Sequence, residues 1–182
     1  MIDADDIKTV LNDLVLILTD QQIKFHVTGG LATSYYGEPR FTQDIDIVIR
    51  LSPKSDVSRL RRMLSEKFLV DAEEIYEVVK RSDLFHALHE KTIIKVDFHV
   101  GEAIPGELAR SRSVEILSGT LVPLVSKEDS ILSKLIWLSK GSHKNRRDVE
   151  MMLVKPNGVD QDYLSTMASK LGIKELWSEV CR

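Results

Sequence analysis

The sequence carries a single cysteine, Cys181, in 182 residues. One thiol excludes an internal disulfide framework and any zinc site built on several cysteines. Long hydrophobic runs are missing too, since no stretch reaches the roughly 20 apolar residues a membrane helix needs. The opening residues Met1-Ile2-Asp3-Ala4-Asp5-Asp6 are acidic where a secretory leader is basic, so the cytoplasm is the expected location and no membrane partner is expected. An excess of one charge is also absent. Lys plus Arg total 25 against 28 Asp plus Glu, a formal net charge of -3, which excludes coating nucleic acid by bulk electrostatics but leaves room for a local basic patch. Repeats, low-complexity runs and Pro/Gly/Ser linkers are lacking, so nothing forces a second domain. What is present is 43% hydrophobic and 29% charged residues, enough apolar material for a sizeable core.

Periodicity orders the chain. Asp3 is placed to cap a helix in which Ile7, Val10, Leu11, Leu14, Val15 and Leu18 recur at helical spacing. Lys24 to Thr28 reads as a strand running into Gly29-Gly30, then a short helix from Leu31 to Tyr36, broken by Gly37-Glu38-Pro39. Asp44 to Ile49 alternates carboxylates with branched apolar residues, the mark of a strand with one special face. Ser52 with Pro53 opens a helix carrying Val57, Leu60, Met63 and Leu64 inward, and residues 72–80 form another. Leu84–His89 with Ile93–Val100, and Val114–Leu117 with Leu121–Leu124, read as hairpins. From Ser126, which with Asp129 resembles a capping box, the pattern is helical, with further helices near 145–153, 161–170 and 173–180. Strands in the middle and helices at the end give an α+β class.

The chemistry concentrates in Val27-Thr28-Gly29-Gly30, thirteen residues, then Asp44-Ile45-Asp46-Ile47-Val48-Ile49. Two glycines after a strand let backbone approach a ligand, and a helix starting there aims N–H groups at an anion. Asp44 and Asp46, two apart on a strand, project from one face. Their repulsion is relieved by a divalent cation, which turns the pair into a hard oxygen site suited to Mg²⁺. Asp97, between Val96 and Phe98, is a third acid which, if buried, must be paired, hydrogen-bonded or metal-bound. On a strand adjacent to Asp44–Ile49 it reaches the same cations, which stabilise attacking and leaving oxygens in phosphoryl displacement.

These residues resemble the DNA polymerase beta-like nucleotidyltransferase superfamily, whose pattern is Gly-[Gly/Ser], nine to thirteen residues, Asp-x-[Asp/Glu], then an isolated Asp. Gly29, Gly30, Asp44, Asp46 and Asp97 match it. Arg40-x-Thr42-x-Asp44-x-Asp46, Lys95-Val96-Asp97, Lys127-Glu128-Asp129, Lys134-Leu135 and Arg147-Asp148 are similar to the small prokaryotic branch related to abortive-infection toxin nucleotidyltransferases. The resemblance implies a mixed β-sheet flanked by helices, with residues 1–125 as nucleotidyltransferase core and N-terminal helix, and 126–182 as a C-terminal helical part packed on it in one structural unit. It implies NTP as substrate, Mg²⁺ or Mn²⁺ as cofactor, and transfer of an NMP to a hydroxyl of RNA, protein or a small molecule, with an antitoxin protein as a partner. Asp44, Asp46 and Asp97 are then the catalytic and metal-binding residues, Asp97 also being the base. Gly29 and Gly30 bracket the triphosphate, and Thr33, Ser34, Arg40, Thr42 and Lys134 are nucleotide-binding candidates. Many members carry Ser where this chain has Gly30, and Thr33 or Ser34 is the candidate substitute for its hydroxyl.

Plainer readings stand beside these. Gly29-Gly30 alone also suits any strand-to-helix turn, and a fold hosts many functions. The same fold as a catalytically degenerate nucleotide-binding or partner-binding module is the first rival, and a metal-dependent phosphohydrolase the second. His86 and His89, three apart on a strand, face opposite sides and do not suggest zinc. His99 falls on the face of Asp97, as substrate contact or scaffold. Arg59, Arg61 and Arg62 read as a solvated helix face balanced by Asp56 and Glu66. Lys144, Arg146 and Arg147 make the better basic patch, with Lys134 projecting from the neighbouring helix. Asp148 is a structural partner for one of those arginines or for Lys134. Trp137 and Trp177 read as core or helix-packing residues, and Tyr35 and Tyr36 as packing residues or a base-stacking pair.

Overall fold

A computed structural model describes residues 3–51, 55–154 and 158–181. The first helix, α1 (Ala4–Asp20), begins where the apolar spacing starts, with a reciprocal cap: Asp6 N–H donates to Asp3 Oδ1 at 2.8 Å and the Asp6 side chain accepts from Asp3 N–H. Next come β1 (Lys24–Thr28), α2 (Gly29–Tyr36) and β2 (Asp44–Arg50). Then follow α3 (Ser55–Leu64), β3 (Phe68–Val70), α4 (Ala72–Arg81) and the hairpin β4 (Leu84–His89) and β5 (Lys95–Val100). A one-turn helix α5 (Glu107–Arg110) leads to the second hairpin, β6 (Arg112–Leu117) and β7 (Thr120–Leu124). The chain finishes on α6 (Lys127–Ser139), α7 (Lys144–Val154), α8 (Gln161–Lys170) and α9 (Lys174–Val180). The Ser52-Pro53 opening of the third helix lies outside the described residues. Among the described residues no helix is long and apolar enough to cross a membrane.

The strands form one seven-stranded sheet in the order β3-β4-β5-β2-β1-β7-β6. It is mixed: β2 pairs parallel with β5 and β1 parallel with β7, and the other neighbours run antiparallel. Alternation along the strands separates two faces. Phe25 and Val27, Ile45, Ile47 and Ile49, Val96 and Phe98, and Phe85 and Ala87 point to the apolar side and pack with Leu11 and Leu14 of α1, Leu60 of α3 and Ile75 of α4. Burying one such Leu or Phe contributes roughly 1.5–3 kcal/mol, and this shared face fixes strand register, because a slip of one residue would expose the set.

A second core joins the C-terminal helices through Leu132, Leu135, Val149, Met152, Leu164 and Trp177. Tyr36 packs against both cores, and its hydroxyl donates to the Val125 carbonyl at 2.8 Å. Trp177 is buried as expected, whereas Trp137 is 47% exposed, its ring covered by the Lys140 ammonium 5.0 Å from the centroid. An indole on a solvent-facing position of α6 thus meets a lysine charge on its face instead of being closed into the core.

Candidate active site

β1 passes into α2 without a connecting loop, and Gly29 makes the turn at φ +62°. That left-handed conformation suits glycine, and space demands it as well, because a Cβ on Gly29 would overlap the Asp46 carboxylate. The first turn of α2 thus rests on Asp46, which accepts the Gly30 N–H. A Cβ on Gly30 would stand 2.5 Å from Thr42 Oγ1. The hydroxyl of Thr42 fills the place where a serine side chain at position 30 would begin, and it donates to Asp44 Oδ1 at 3.0 Å. Thr33 and Ser34 turn their hydroxyls back on the carbonyls of Gly29 and Gly30, at 2.9 and 3.0 Å, and not outward.

Parallel pairing of β2 with β5 sets Asp46 opposite Asp97 and Asp44 opposite Lys95, and antiparallel pairing of β4 with β5 sets His86 opposite Asp97. All lie on the face away from the apolar core. His99 Nε2 is 3.3 Å from Asp46 Oδ1. His86 Nδ1 is 2.8 Å from Asp97 Oδ1, and Lys95 Nζ donates to Asp97 Oδ2 at 2.9 Å. Burial pulls the Asp46 pKa upward, but the His99 hydrogen bond and charge, the Lys134 ammonium and the Gly30 N–H outweigh it and hold the carboxyl below its ordinary value. Lys95 is pushed up by its hydrogen bond to Asp97, against some desolvation, with the charges of Asp97, Asp44 and Asp46 adding to the effect.

Three carboxylates on one face are an all-oxygen donor set of the kind Mg²⁺ or Mn²⁺ takes. The cradle at Gly29, which a Cβ would fill, brings one of them against the helix N-terminus. The residues fit such an ion in kind. As the side chains stand, no three His, Cys, Asp or Glu groups among the described residues are gathered closely enough to hold one. Asp44 is turned to Thr42, Asp46 to His99 and Gly30, and Asp97 to His86 and Lys95.

The cationic side of the site comes from the C-terminal helices. Lys134 of α6 is buried and bonds Asp148 of α7 at 3.0 Å, and Arg40 reaches the same carboxylate at 3.6 Å. Thr33, Arg40, Arg147 and Asp148 help line a hollow of about 260 Å³ between α2 and α7. The basic patch expected at Lys144, Arg146 and Arg147 is largely neutralised, because Arg146 pairs with Glu179 at 3.2 Å and Arg147 with Glu38 at 2.9 Å. Lys134 does not join it, since burial commits its charge to Asp148 and the Asp46 side of the site. Arg59 is balanced by Asp20 at 3.7 Å.

Residues 10–174 match the family model of the nucleotidyl transferase AbiEii toxin, type IV toxin–antitoxin system. The chain belongs to the AbiEii family. It is a nucleotidyltransferase, as the family's description states. No curated protein matches the sequence. Among solved structures, this AbiEii-family chain is similar to an antigenic nucleotidyltransferase-like protein from Paracoccidioides brasiliensis (TM-score 0.58, 19% identity, 98% of this chain and 94% of that one). It is similar also to ANT(2'')-Ia in complex with adenylyl-2''-tobramycin (TM-score 0.59, 14% identity, 91% of this chain and 96% of that one). At such identities the likeness establishes the fold, a mixed sheet with flanking helices, and this AbiEii member carries it over nearly its whole length.

Proposed function

We propose that this AbiEii-family chain is a divalent-cation-dependent nucleotidyltransferase that moves an NMP from NTP to a hydroxyl on RNA or protein, and that an antitoxin protein is its partner in the cytoplasm. One observation carries the reading: Asp46 and Asp97 stand in register on adjacent parallel strands, with Asp44 two residues along on the same face and the first turn of α2 against Asp46. Asp44 and Asp46, with Asp97, would hold Mg²⁺ or Mn²⁺, which when bound supplies positive charge to the triphosphate. Asp97 takes the proton of the acceptor hydroxyl, and the acceptor's oxygen forms the new bond to the α-phosphorus as the bond to pyrophosphate breaks. Gly29 and Gly30 let the start of α2 close on Asp46 and Thr42 and so set where the triphosphate meets the helix end, while Arg40, Thr42 and Lys134 ring its approach, and Thr33 and Ser34 hold the shape of the helix end. A small-molecule acceptor is the alternative within the same chemistry.

The test is incubation with each labelled NTP, Mg²⁺ and a mixed pool of tRNA and protein. Label transfer that disappears in Asp44→Asn supports the reading. NTP binding without transfer to any acceptor would leave a nucleotide-binding module, and release of free phosphate in place of pyrophosphate would point to a phosphohydrolase.

A further inference from the structure

The cation already present on the carboxylate face is a lysine. Lys95 begins β5, two residues before Asp97 and opposite Asp44 of β2, so strand geometry aims its side chain at the same face as the three acids. Its ammonium donates to Asp97 Oδ2 at 2.9 Å and lies within electrostatic reach of Asp44 and Asp46. The other oxygen of Asp97 is engaged by His86 Nδ1 at 2.8 Å. Asp97 therefore has a partner on each oxygen, whereas the Asp44 carboxylate accepts the neutral hydroxyl of Thr42 on Oδ1 at 3.0 Å. Two positive charges a few ångströms apart repel, and at the partly exposed position of Lys95 that repulsion is moderated but not removed by water.

We propose that Lys95 is a built-in cation of the site: its ammonium occupies the Asp97 end, so the nucleotide-free protein takes a single divalent ion, on Asp44 and Asp46, and an ion reaches Asp97 only by displacing Lys95. The inference rests on the proposed transferase reading, because it takes Asp44 and Asp46 as ligands. It assigns Lys95 a positioning and charge-balancing part that the three-carboxylate pattern does not contain. The lysine places a single positive charge, half that of a divalent ion, near the acids, and it holds Asp97 in one orientation while His86 fixes the other oxygen.

The experiment is a titration of the full-length protein with Mn²⁺ alone, free ion being followed by electron paramagnetic resonance, in wild type, Lys95→Met, Lys95→Arg and Asp44→Asn. Wild type and Lys95→Arg should bind one ion. Lys95→Met should bind a second ion, or the first more tightly by on the order of tenfold, the size expected for removing a nearby like charge. Equal stoichiometry and affinity in wild type and Lys95→Met would overturn the inference, as would a second ion in Lys95→Arg. Asp44→Asn reports on the underlying reading separately. If Mn²⁺ binds wild type and Asp44→Asn alike, with and without NTP, the ligand assignment itself fails. If binding depends on Asp44 but ignores Lys95→Met, only the role of Lys95 falls. Because the Lys95 side chain is 46% exposed, Lys95→Met should melt close to wild type, and Lys95→Gln repeats the test with a polar neutral group.

Discussion

Asp46 lies against the backbone of Gly29 so closely that the glycine has no room for a methyl group. Gly29→Ala must therefore move the carboxylate and also hold an L-residue at φ +62°. The backbone cost alone is about 1–2 kcal/mol, which for a chain of this size lowers Tm by roughly 2–8 °C. Differential scanning calorimetry and a transfer assay should fall together, and unchanged values for both would mean the helix start is not tied to Asp46.

At Gly30 the obstacle is Thr42. Gly30→Ser should reduce stability and activity because its Cβ would meet Thr42 Oγ1 at 2.5 Å. Adding Thr42→Ala removes that oxygen and should restore part of the loss, a positive coupling readable in a double-mutant cycle. Strict additivity would show that the two positions do not compete for the same space.

For Asp46→Asn and Asp97→Asn, kcat/KM should drop at least about a hundredfold, equivalent to ~2.7 kcal/mol of transition-state stabilisation. Stability should fall by only about 1–2 kcal/mol, since Asn keeps the side-chain shape and an acceptor oxygen while the charge-assisted contacts of Asp46 to His99, or of Asp97 to Lys95, are weakened. A large fall in Tm would instead mark the carboxylates as scaffold.

Lys134 and Asp148 form a pair with both side chains largely out of water. Removing one member of such a pair costs about 3–5 kcal/mol, whereas replacing both with apolar groups is close to neutral or stabilising. Asp148→Ala should therefore unfold at lower urea than Lys134→Met/Asp148→Leu. The double variant should nonetheless lose nucleotide binding if Lys134 contacts phosphate.

A pH effect follows from Glu107 and His26, buried with His26 Nε2 3.6 Å from Glu107 Oε2. Burial pushes Glu107 up to about 7, opposed by the Ile104 and Ala103 N–H groups and reinforced by Asp129 and Glu102. Burial pulls His26 down to about 4, against Asp129 and Glu102 and with Arg110. The raised Glu107 favours the folded state at low pH and loses that advantage as pH climbs from 4.5 to about 7. His26 acts oppositely, its contribution being lost as pH falls from 6.5 to about 4. Glu107→Gln keeps an acceptor for the Ile104 N–H and removes the first dependence. Its Tm relative to wild type should rise between about pH 5 and about pH 8, and a parallel pair of Tm curves would show that Glu107 titrates normally.

Most of the architecture was legible because long periodic segments leave little choice. Lys24–Thr28 and the helix capped by Asp3 have the bounds the apolar spacing suggests, and both hairpins form where turn residues separate alternating runs. α2 starts at Gly29, not at Leu31, because the glycine itself supplies the left-handed entry. Phe68–Val70 and Glu107–Arg110 were not anticipated, since three or four residues carry too little periodicity to declare themselves. The three acids could be picked out by type and spacing, but their partners could not. Lys95-x-Asp97-x-His99 does announce a shared face, and only the register of the first hairpin brings His86 beside Asp97. Trp137 reads as packing because indoles usually pack, whereas in the fold its ring lies half exposed beneath the Lys140 ammonium.

The carboxylate face is complete once the chain reaches His99, yet the acid that fastens Lys134 belongs to α7, at position 148. On the ribosome, the emerging polypeptide passes through a stage in which the acidic half exists while the lysine opposite it has neither been made nor secured. Synthesis order alone thus delays assembly of the cationic side until the closing third of translation.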